Sequence, residues 1–197
     1  MPVASSDVSP ATISDVDDFA VLLAAAQHGD EAAFTQLFRA LNPGVLRYLR
    51  VLAGASPAED LAAETWVAAL RNFATFTGDE RALRAWLLTI ARARWVDAVR
   101  ALNRRPEVVT DRTPEVAAAD DVHEIVEAQM STDLALELIG RLPPDQAEVI
   151  ALRVIGQLEV AEVAELTGKT ANHVRVLAHR GLRRLARLLE QAPDRTP

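Results

Sequence analysis

Residues 160–189 read VAEVAELTGKTANHVRVLAHRGLRRLARLL, and this stretch decides the class of fold. The spacing of its apolar residues predicts a short helix over 160–166 and a longer helix that continues to about Glu190. The turn Thr167-Gly168-Lys169 joins them, and Thr170 is placed to cap the second helix. Two helices joined in this way are typical of a helix-turn-helix, whose second helix enters the major groove of DNA.

The second helix of this pair has two contrasting faces. Its inward stripe is predicted to contain Val174, Leu177, Ala178, Gly181, Leu182, Leu185 and Leu188. Its outward residues are mostly polar or basic: Asn172, His173, Arg175, Val176, His179, Arg180, Arg183, Arg184 and Arg187. Polar residues near the start of such a helix reach base edges, and arginines further along hold phosphates. A basic amphipathic helix that only packs on its neighbours is the alternative from this stretch alone.

The composition of the whole chain favours helices and excludes several classes of protein. Half of the 197 residues are hydrophobic, while only five Phe, one Tyr and three Trp are present, which suits an all-α chain. The chain has no cysteine, so it has no disulfide framework, thiolate metal site or cysteine nucleophile. Its apolar runs are far shorter than the roughly 20 residues of a membrane span, and no export signal begins it. We therefore expect a soluble, cytoplasmic protein without membrane insertion.

The net charge of −7 conceals a strong segregation of charge along the chain. Residues 63–106 carry eight basic and four acidic side chains, and residues 169–197 carry seven basic and two acidic ones. Between them, residues 107–168 carry fourteen acidic and only three basic side chains. Two separate basic regions predict two contacts with a polyanion such as DNA.

Breaks in the periodicity divide the chain into five predicted segments. They are a mobile N-terminal tail (1–13), a first helical domain (14–105), a flexible acidic linker (106–130), a second helical domain with the helix-turn-helix (131–190) and a C-terminal tail (191–197). Helical spacing returns weakly from Val122. In the helix that starts at Pro143-Pro144, the inward stripe is predicted to contain Ala147, Ile150, Ala151 and Val154, with Glu148 outside it.

Capping residues predict where the helices of the first domain begin and end. Asp30 is placed to cap a helix that Asn42-Pro43-Gly44 is expected to break or kink. Ser56-Pro57-Ala58-Glu59 has the pattern of a capping box and predicts the next helix start. A long helix is expected from Arg81 to about Asn103, and Arg94 on its apolar stripe must find a carboxylate or solvent. The inward stripes of these two helices are predicted to contain Ala62, Trp66, Ala69, Leu70 and Phe73, and Leu83, Leu87, Ile90, Ala91, Ala98 and Leu102.

Four short motifs follow one another along the two halves in a characteristic order. They are Gly29-Asp30-Glu31-Ala32-Ala33-Phe34, Ala58-Glu59-Asp60-Leu61-Ala62-Ala63-Glu64-Thr65-Trp66, Ala85-Trp86-Leu87-Leu88-Thr89-Ile90-Ala91-Arg92 and Leu142-Pro143-Pro144-Asp145-Gln146. In this order the chain resembles the extracytoplasmic-function (group IV, sigma-70 family) sigma factors of bacterial RNA polymerase, with the motifs matching regions 2.1, 2.2, 2.3 with 2.4, and 4. The resemblance implies an all-α fold of two helical domains, σ2 and σ4, joined by a linker, and no catalytic activity.

The same resemblance implies a function and the residues that perform it. A family member is the promoter-specificity subunit that binds core RNA polymerase, at the β′ clamp helices and the β flap, and directs transcription initiation at −10/−35 promoters. The candidates for binding the clamp helices are Asp60 and Glu64. The candidates for the −10 element are Phe76, Thr77, Gly78, Asp79, Arg81, Arg84, Arg92 and Arg100, and those for the −35 element are Thr170, Asn172, His173, Arg175, Val176, His179 and Arg180. Many members are held inactive by an anti-sigma protein, so such a partner is compatible with the resemblance.

Other chemistry finds little support in the sequence. Gly168-Lys169-Thr170 lacks the glycine of a phosphate-binding loop, because Val163 stands at that position. No pair of histidines has the spacing of a zinc site, and no nucleophile stands beside a base, so we predict no catalytic residue, metal or cofactor. Two other functions remain open: a stand-alone helix-turn-helix transcription regulator, and a helical protein-interaction module whose basic faces meet acidic protein.

Overall fold

The computed structural model describes residues 16–104 and 123–191, with side chains from 18 to 104 and from 132 to 190. Within these ranges the chain is helical and contains no strand, which confirms the predicted all-α class. The helices are α1 (Val16–Gln27), α2 (Glu31–Ala53), α3 (Ala55–Phe73), α4 (Glu80–Asn103), α5 (His123–Gly140), α6 (Pro144–Val154), α7 (Val160–Thr167) and α8 (Ala171–Gln191). The N-terminal tail 1–13 and most of the linker lie outside the described residues, and residues 123–130 of the predicted linker belong to α5.

Helix α2 passes through the middle of the first half. Asp30 caps it as predicted, because its carboxylate accepts hydrogen bonds from the backbone amides of Ala32 and Ala33 at 2.8 and 2.9 Å. Of the expected break or kink at Asn42-Pro43-Gly44, the break does not occur, since α2 continues through Pro43 to Ala53. Proline removes one backbone donor from the helix, but buried residues such as Leu41 and Val45 lie on both sides of it, so tertiary packing outweighs the local preference.

Helix α3 begins two residues earlier than the capping motif indicated. The predicted capping box at Ser56-Pro57-Ala58-Glu59 was wrong, because Ala55 opens the helix and no side chain caps it. Gly54 instead ends α2, where its amide donates to the carbonyl of Arg50. The same glycine, whose φ is +82°, immediately precedes the first residue of α3. A single glycine in a conformation that other residues rarely adopt therefore joins the two helices.

The second half contains the predicted helix-turn-helix. Helix α7 ends at Gly168, whose φ of +68° is left-handed and favours glycine. The Thr170 hydroxyl accepts a hydrogen bond from the amide of His173 at 3.2 Å, which confirms its predicted role as the cap of α8. Local turn chemistry at these two residues thus sets the angle at which α8 leaves α7.

Most residues of the predicted inward stripes are buried, with four exceptions. Four residues that were expected to face inward are more than half exposed: Leu70, Leu102, Val154 and Leu182. On α4 the fully buried residues end at Ala91, well before Leu102, whereas on α8 Leu185 and Leu188 still pack partly against the core beyond the exposed Leu182. Periodicity alone could not show where the neighbouring helix stops.

The two halves pack against each other. Helix α2 contacts α5 and α6 in addition to α1, α3 and α4, and the buried side chains of both halves form one continuous cluster. Glu148 of α6, which was expected outside the buried stripe, is only 4% exposed. The spacing of α6 could not predict this, because the residue that meets Glu148 is Arg92 on α4 of the other half.

Candidate nucleic-acid and protein interfaces

The first half of α8 presents a polar and basic surface to solvent. Val174 and Leu177 are buried and Ala178 is half-buried, while the two positions between the buried pair are exposed. The exposed candidates are Asn172, His173, Arg175, Val176, His179 and Arg180, together with Thr170 at the cap. The structure therefore brings all seven −35 candidates to one edge of the helix-turn-helix, at the end of α8 that base recognition requires.

A cationic groove continues along α8 beyond these residues. It opens between α8 and the start of α6 and is lined by Gln146, His179, Arg180, Arg183, Arg184 and Arg187. An open groove with four arginines offers several guanidinium groups to an extended anion. The arrangement suits a phosphate backbone that runs along α8.

The segment before α4 packs an aromatic side chain against α4. Phe76 lies against Trp86 with ring centroids 5.1 Å apart, and both side chains are half-buried. The Gln27 side-chain amide donates to the carbonyls of Phe73 and Phe76 at 2.9 and 2.7 Å. Gln27 is a positioning residue that the sequence did not reveal, because its partners lie 46 and 49 residues away.

The other residues of this loop are exposed, and two of them have structural roles. Thr77, Gly78 and Asp79 are exposed, and Asp79 caps α4 by accepting from the amide of Ala82 at 2.7 Å. Gly78 has a φ of +148°, and a Cβ there would come within 2.8 Å of the Ala82 Cβ. The loop is therefore held in one shape from both ends, with its aromatic residue at the surface of the domain.

The four arginine candidates of α4 are not equally free. Arg100 is exposed and lies 3.9 Å from Asp97. The other three reach the second half of the chain: Arg81 to Glu162, Arg84 to Gln157 and Arg92 to Glu148. Arg94, which was predicted to need a carboxylate or solvent, has both: its side chain is partly exposed and lies 3.9 Å from Asp97.

Proximity of opposite charges and burial shift the pKa values of three side chains at these contacts. The hydrogen bond from Arg81 holds the pKa of the Glu162 carboxyl below its usual value, and Glu162 in turn raises the pKa of Arg81. Tyr48 is fully buried close to Arg92 and Glu148. Burial raises the pKa of its hydroxyl far above its ordinary value, and the charge of Glu148 adds to the effect. Tyr48 is therefore neutral at any physiological pH.

Helix α3 presents an acidic and apolar face. Asp60 and Glu64 are exposed as expected, on the same face as Val67, which is 57% exposed. Leu70 borders this face and is 51% exposed, although its spacing indicated a core position. Negative charge repels nucleic acid, and apolar area next to charged side chains is a common composition of a protein interface. The face is thus a candidate protein interface, with Val67 and Leu70 as additions to the predicted pair.

Metal and membrane sites are not evident within residues 16–104 and 123–191. In those ranges no three His, Asp or Glu side chains form a group that could hold a metal ion. None of the helices described there combines the length and apolar character that crossing a membrane requires.

Comparison with known proteins identifies the family. Residues 37–105 match Sigma-70 region 2 and residues 132–185 match Sigma-70, region 4. The chain is 37% identical to the ECF RNA polymerase sigma factor BldN of Streptomyces coelicolor over 185 residues. This alignment covers 91% of this chain and 69% of BldN. It is 31% identical to the ECF RNA polymerase sigma factor SigD of Mycobacterium tuberculosis, over 95% of this chain and 92% of that protein.

Solved structures share the fold. CnrH, in complex with the cytosolic domain of CnrY, matches with a TM-score of 0.59 and 22% identity over 88% of this chain and 98% of its own. The sigma factor RpoE of Bartonella quintana, in complex with the anti-sigma factor NepR, matches with a TM-score of 0.60 and 21% identity. This match covers 82% of this chain and 98% of RpoE. Both family regions and the close relatives lead to the same conclusion: this chain belongs to the extracytoplasmic-function sigma factors, the subunits that direct RNA polymerase to promoters.

Proposed function

We propose that this sigma subunit uses three surfaces: α3 for core polymerase, the loop before α4 with the arginines of α4 for the −10 element, and α8 for the −35 element. The observation that carries the proposal is the exposed edge of α8, where Arg175, His179 and Arg180 project from a capped helix-turn-helix. A helix presented in this way enters a major groove with its first turns against the bases.

The α3 surface suits the coiled pair of clamp helices in the β′ subunit. Asp60 and Glu64 supply the charge, and Val67 and Leu70 supply apolar area beside it. Interfaces commonly combine a desolvated apolar centre with charges that guide association. The β flap is the proposed partner of the second domain. We infer from these partners that the protein acts in the cytoplasm, together with RNA polymerase.

The loop of residues 76–79 suits the capture of an unstacked base. Phe76 and Trp86 provide aromatic surface, and arginines of α4 lie beside them. Bases in melted DNA stack on aromatic rings while cations hold the phosphates, so the two groups act on the same nucleotide stretch. We assign no catalytic role to any of these residues, since the work of the subunit is binding.

Recognition of the −35 element is tested by removing charges from α8. Arg175→Ala with Arg180→Ala is expected to weaken the binding of holoenzyme to its promoter by about tenfold or more, the size of one or two lost contacts to bases or phosphates. Arg39→Ala, at an exposed site on α2, is the control for loss of charge. Equal promoter affinity of the α8 variant and the control would contradict the assignment.

Core binding is tested separately on α3. Asp60→Asn with Glu64→Gln keeps the shape of the side chains and is expected to weaken the affinity for core polymerase by about tenfold, measured by fluorescence anisotropy without DNA. Asp18→Asn with Glu31→Gln removes the same charge from exposed positions at the start of other helices. Unchanged core affinity in the α3 variant would overturn the α3 assignment.

An anti-sigma protein is a further proposed partner. The structural neighbours CnrH and RpoE were solved with CnrY and with the anti-sigma factor NepR. We infer that a protein of this kind would cover the same acidic and apolar face of α3 and compete with core polymerase for it. Val67→Asp is expected to weaken both complexes together.

A further inference from the structure

One apolar side chain stands on the exposed face of α8 among polar and basic ones. Val176 is 36% exposed, and it is the one apolar residue among the seven candidates for the −35 element. The core of the domain lies on the opposite side of the helix, where Val174, Leu177 and Gly181 are buried. The residues one turn before and one turn after Val176 on its own face are all exposed: Asn172, His173, His179 and Arg180.

Neither core packing nor helix formation explains a valine at this position. Valine is a weaker helix former than the alanine, leucine and arginine that make up most of α8. Single apolar residues are common on protein surfaces, so exposure by itself does not indicate a role. The position of Val176 does, because it lies in the second turn after the Thr170 cap, in the part of a recognition helix that reaches base edges.

The major groove of DNA offers one apolar group to such a side chain, the C5-methyl of thymine. The other three bases present hydrogen-bond donors and acceptors on their groove edges, and cytosine carries only a hydrogen at C5. A valine side chain has no polar atom, so it gains apolar contact against the methyl group and leaves the polar groups of the other bases unpaired. A valine held over the groove therefore favours thymine at the base that faces it.

The structure fixes the direction in which Val176 points. Branching at its Cβ restricts the side chain to essentially one rotamer in a helix. The helix itself is anchored on both sides of this residue by Val174 and Leu177, which are 0% and 7% exposed. Arg175 and Arg180 stand beside Val176 and can hold phosphates or polar base edges. Little conformational freedom remains to be lost when the side chain meets a base.

We propose that Val176 selects a thymine in the −35 element by contact with the C5-methyl group of that base. This inference rests on the proposed assignment of α8 to the −35 element and adds the base that one of its residues reads. The polar and basic neighbours of Val176 supply affinity and register, and Val176 supplies the preference for a methyl group.

The test begins with a selection from a synthetic library of random-sequence DNA duplexes. Holoenzyme is assembled from purified core polymerase and the full-length chain, and the retained duplexes are amplified and sequenced. The library contains no methylated cytosine, so thymine is the only source of C5-methyl groups in it. The parent is expected to enrich an upstream motif with thymine at one position, and Val176→Ala is expected to enrich the same motif with that position relaxed.

The second step removes the methyl group alone. In the duplex that the parent enriches most, each thymine of the upstream motif is replaced in turn by deoxyuridine, which pairs like thymine but lacks the methyl. Parental holoenzyme is expected to lose affinity about threefold to fourfold at one position, the effect of burying one methyl group. Val176→Ala holoenzyme should lose less than about 1.5-fold there, because the two changes remove the same contact.

A matched variant controls for the truncation itself. Val21→Ala makes the same change on α1, where the side chain is 71% exposed, and should retain the full response to deoxyuridine. Alanine favours a helix more than valine does, so neither variant is expected to disturb its helix. Both should unfold at the same urea concentration as the parent, which shows that a lost response to deoxyuridine does not come from misfolding.

The outcomes separate this inference from the proposed function. If Arg175→Ala with Arg180→Ala leaves the selected upstream motif unchanged, α8 does not read the −35 element and both fail. If that variant removes the motif, the assignment of α8 stands. The reading of thymine by Val176 is then refuted if the motif contains no thymine, if deoxyuridine is tolerated at every position, or if Val176→Ala keeps the full loss. A loss at one position that Val176→Ala abolishes and Val21→Ala retains supports both.

Discussion

The pair formed by Arg92 and Glu148 joins the two halves of the molecule and supports a quantitative prediction. The Glu148 side chain is 6% exposed and that of Arg92 is 28% exposed, with 2.6 Å between the Arg92 Nε and the Glu148 Oε1. Breaking a buried ion pair by removing one partner costs about 3–5 kcal/mol, because the other charge is left without compensation. The two partners differ in their access to water, so the cost depends on which one is removed.

Arg92→Ala is expected to be the more damaging change. It leaves a nearly buried carboxylate without its guanidinium and is expected to lower the free energy of unfolding by about 3 kcal/mol. Glu148→Ala leaves an arginine that retains contact with water, so we expect a loss of about 1.5–2.5 kcal/mol, similar to a hydrogen bond to a charged group. The double variant is expected to lose less than the sum of these values, with a coupling of about 1.5–3 kcal/mol.

The assay is urea denaturation at pH 7, followed by far-ultraviolet circular dichroism, on the parent, both single variants and the double variant. Leu88→Ala, a truncation beside the same junction, shows the cost of lost packing without loss of charge. If the two single losses add to within about 0.5 kcal/mol of the loss in the double variant, the pair is not coupled and the reasoning from its burial is refuted.

Three further changes test local features of the fold. Thr170→Ala removes the cap of α8 and is expected to lower stability by about 1 kcal/mol, whereas Thr170→Ser should restore it in the same denaturation assay. Gly78→Ala places a Cβ within 2.8 Å of that of Ala82 at a φ of +148°, so binding of single-stranded DNA by holoenzyme should weaken about threefold or more as the loop shifts; unchanged binding would contradict the loop assignment. Gly181→Val directs a side chain at Ile150, because a Cβ added at Gly181 would lie only 2.9 Å from the Ile150 Cγ1. We expect this variant to lower the free energy of unfolding by about 1–3 kcal/mol, and a rise in melting temperature would contradict this packing.

Local chemistry in the sequence was sufficient to predict some elements and insufficient for others. The caps at Asp30 and Thr170 were predicted correctly, because each depends on backbone amides two or three residues away. The break at Pro43 and the capping box at Ser56 were predicted wrongly. The first was overridden by burial of α2 among several helices, and the second by the glycine that joins α2 directly to α3.

The candidate site shows the same division between local and long-range information. The exposed edge of α8 could be predicted from the sequence, because helical spacing separates its basic residues from its buried ones. The partners of Arg92 and Gln27 could not, since they lie 56 residues and more than 40 residues away along the chain. Burial of Glu148 is the clearest case, because its own helix gives no indication that α4 covers it.

Dependence of DNA recognition on core polymerase tests the central claim most directly. Fragmented genomic DNA is captured on the immobilised full-length chain, with and without purified core polymerase, and the retained fragments are sequenced. We expect fragments with two short motifs at a constant separation to be enriched only when core polymerase is present, and we expect Arg175→Ala with Arg180→Ala to remove only the upstream motif. Enrichment of the same fragments by the chain alone, with no change on addition of core, would contradict the account and favour a stand-alone regulator.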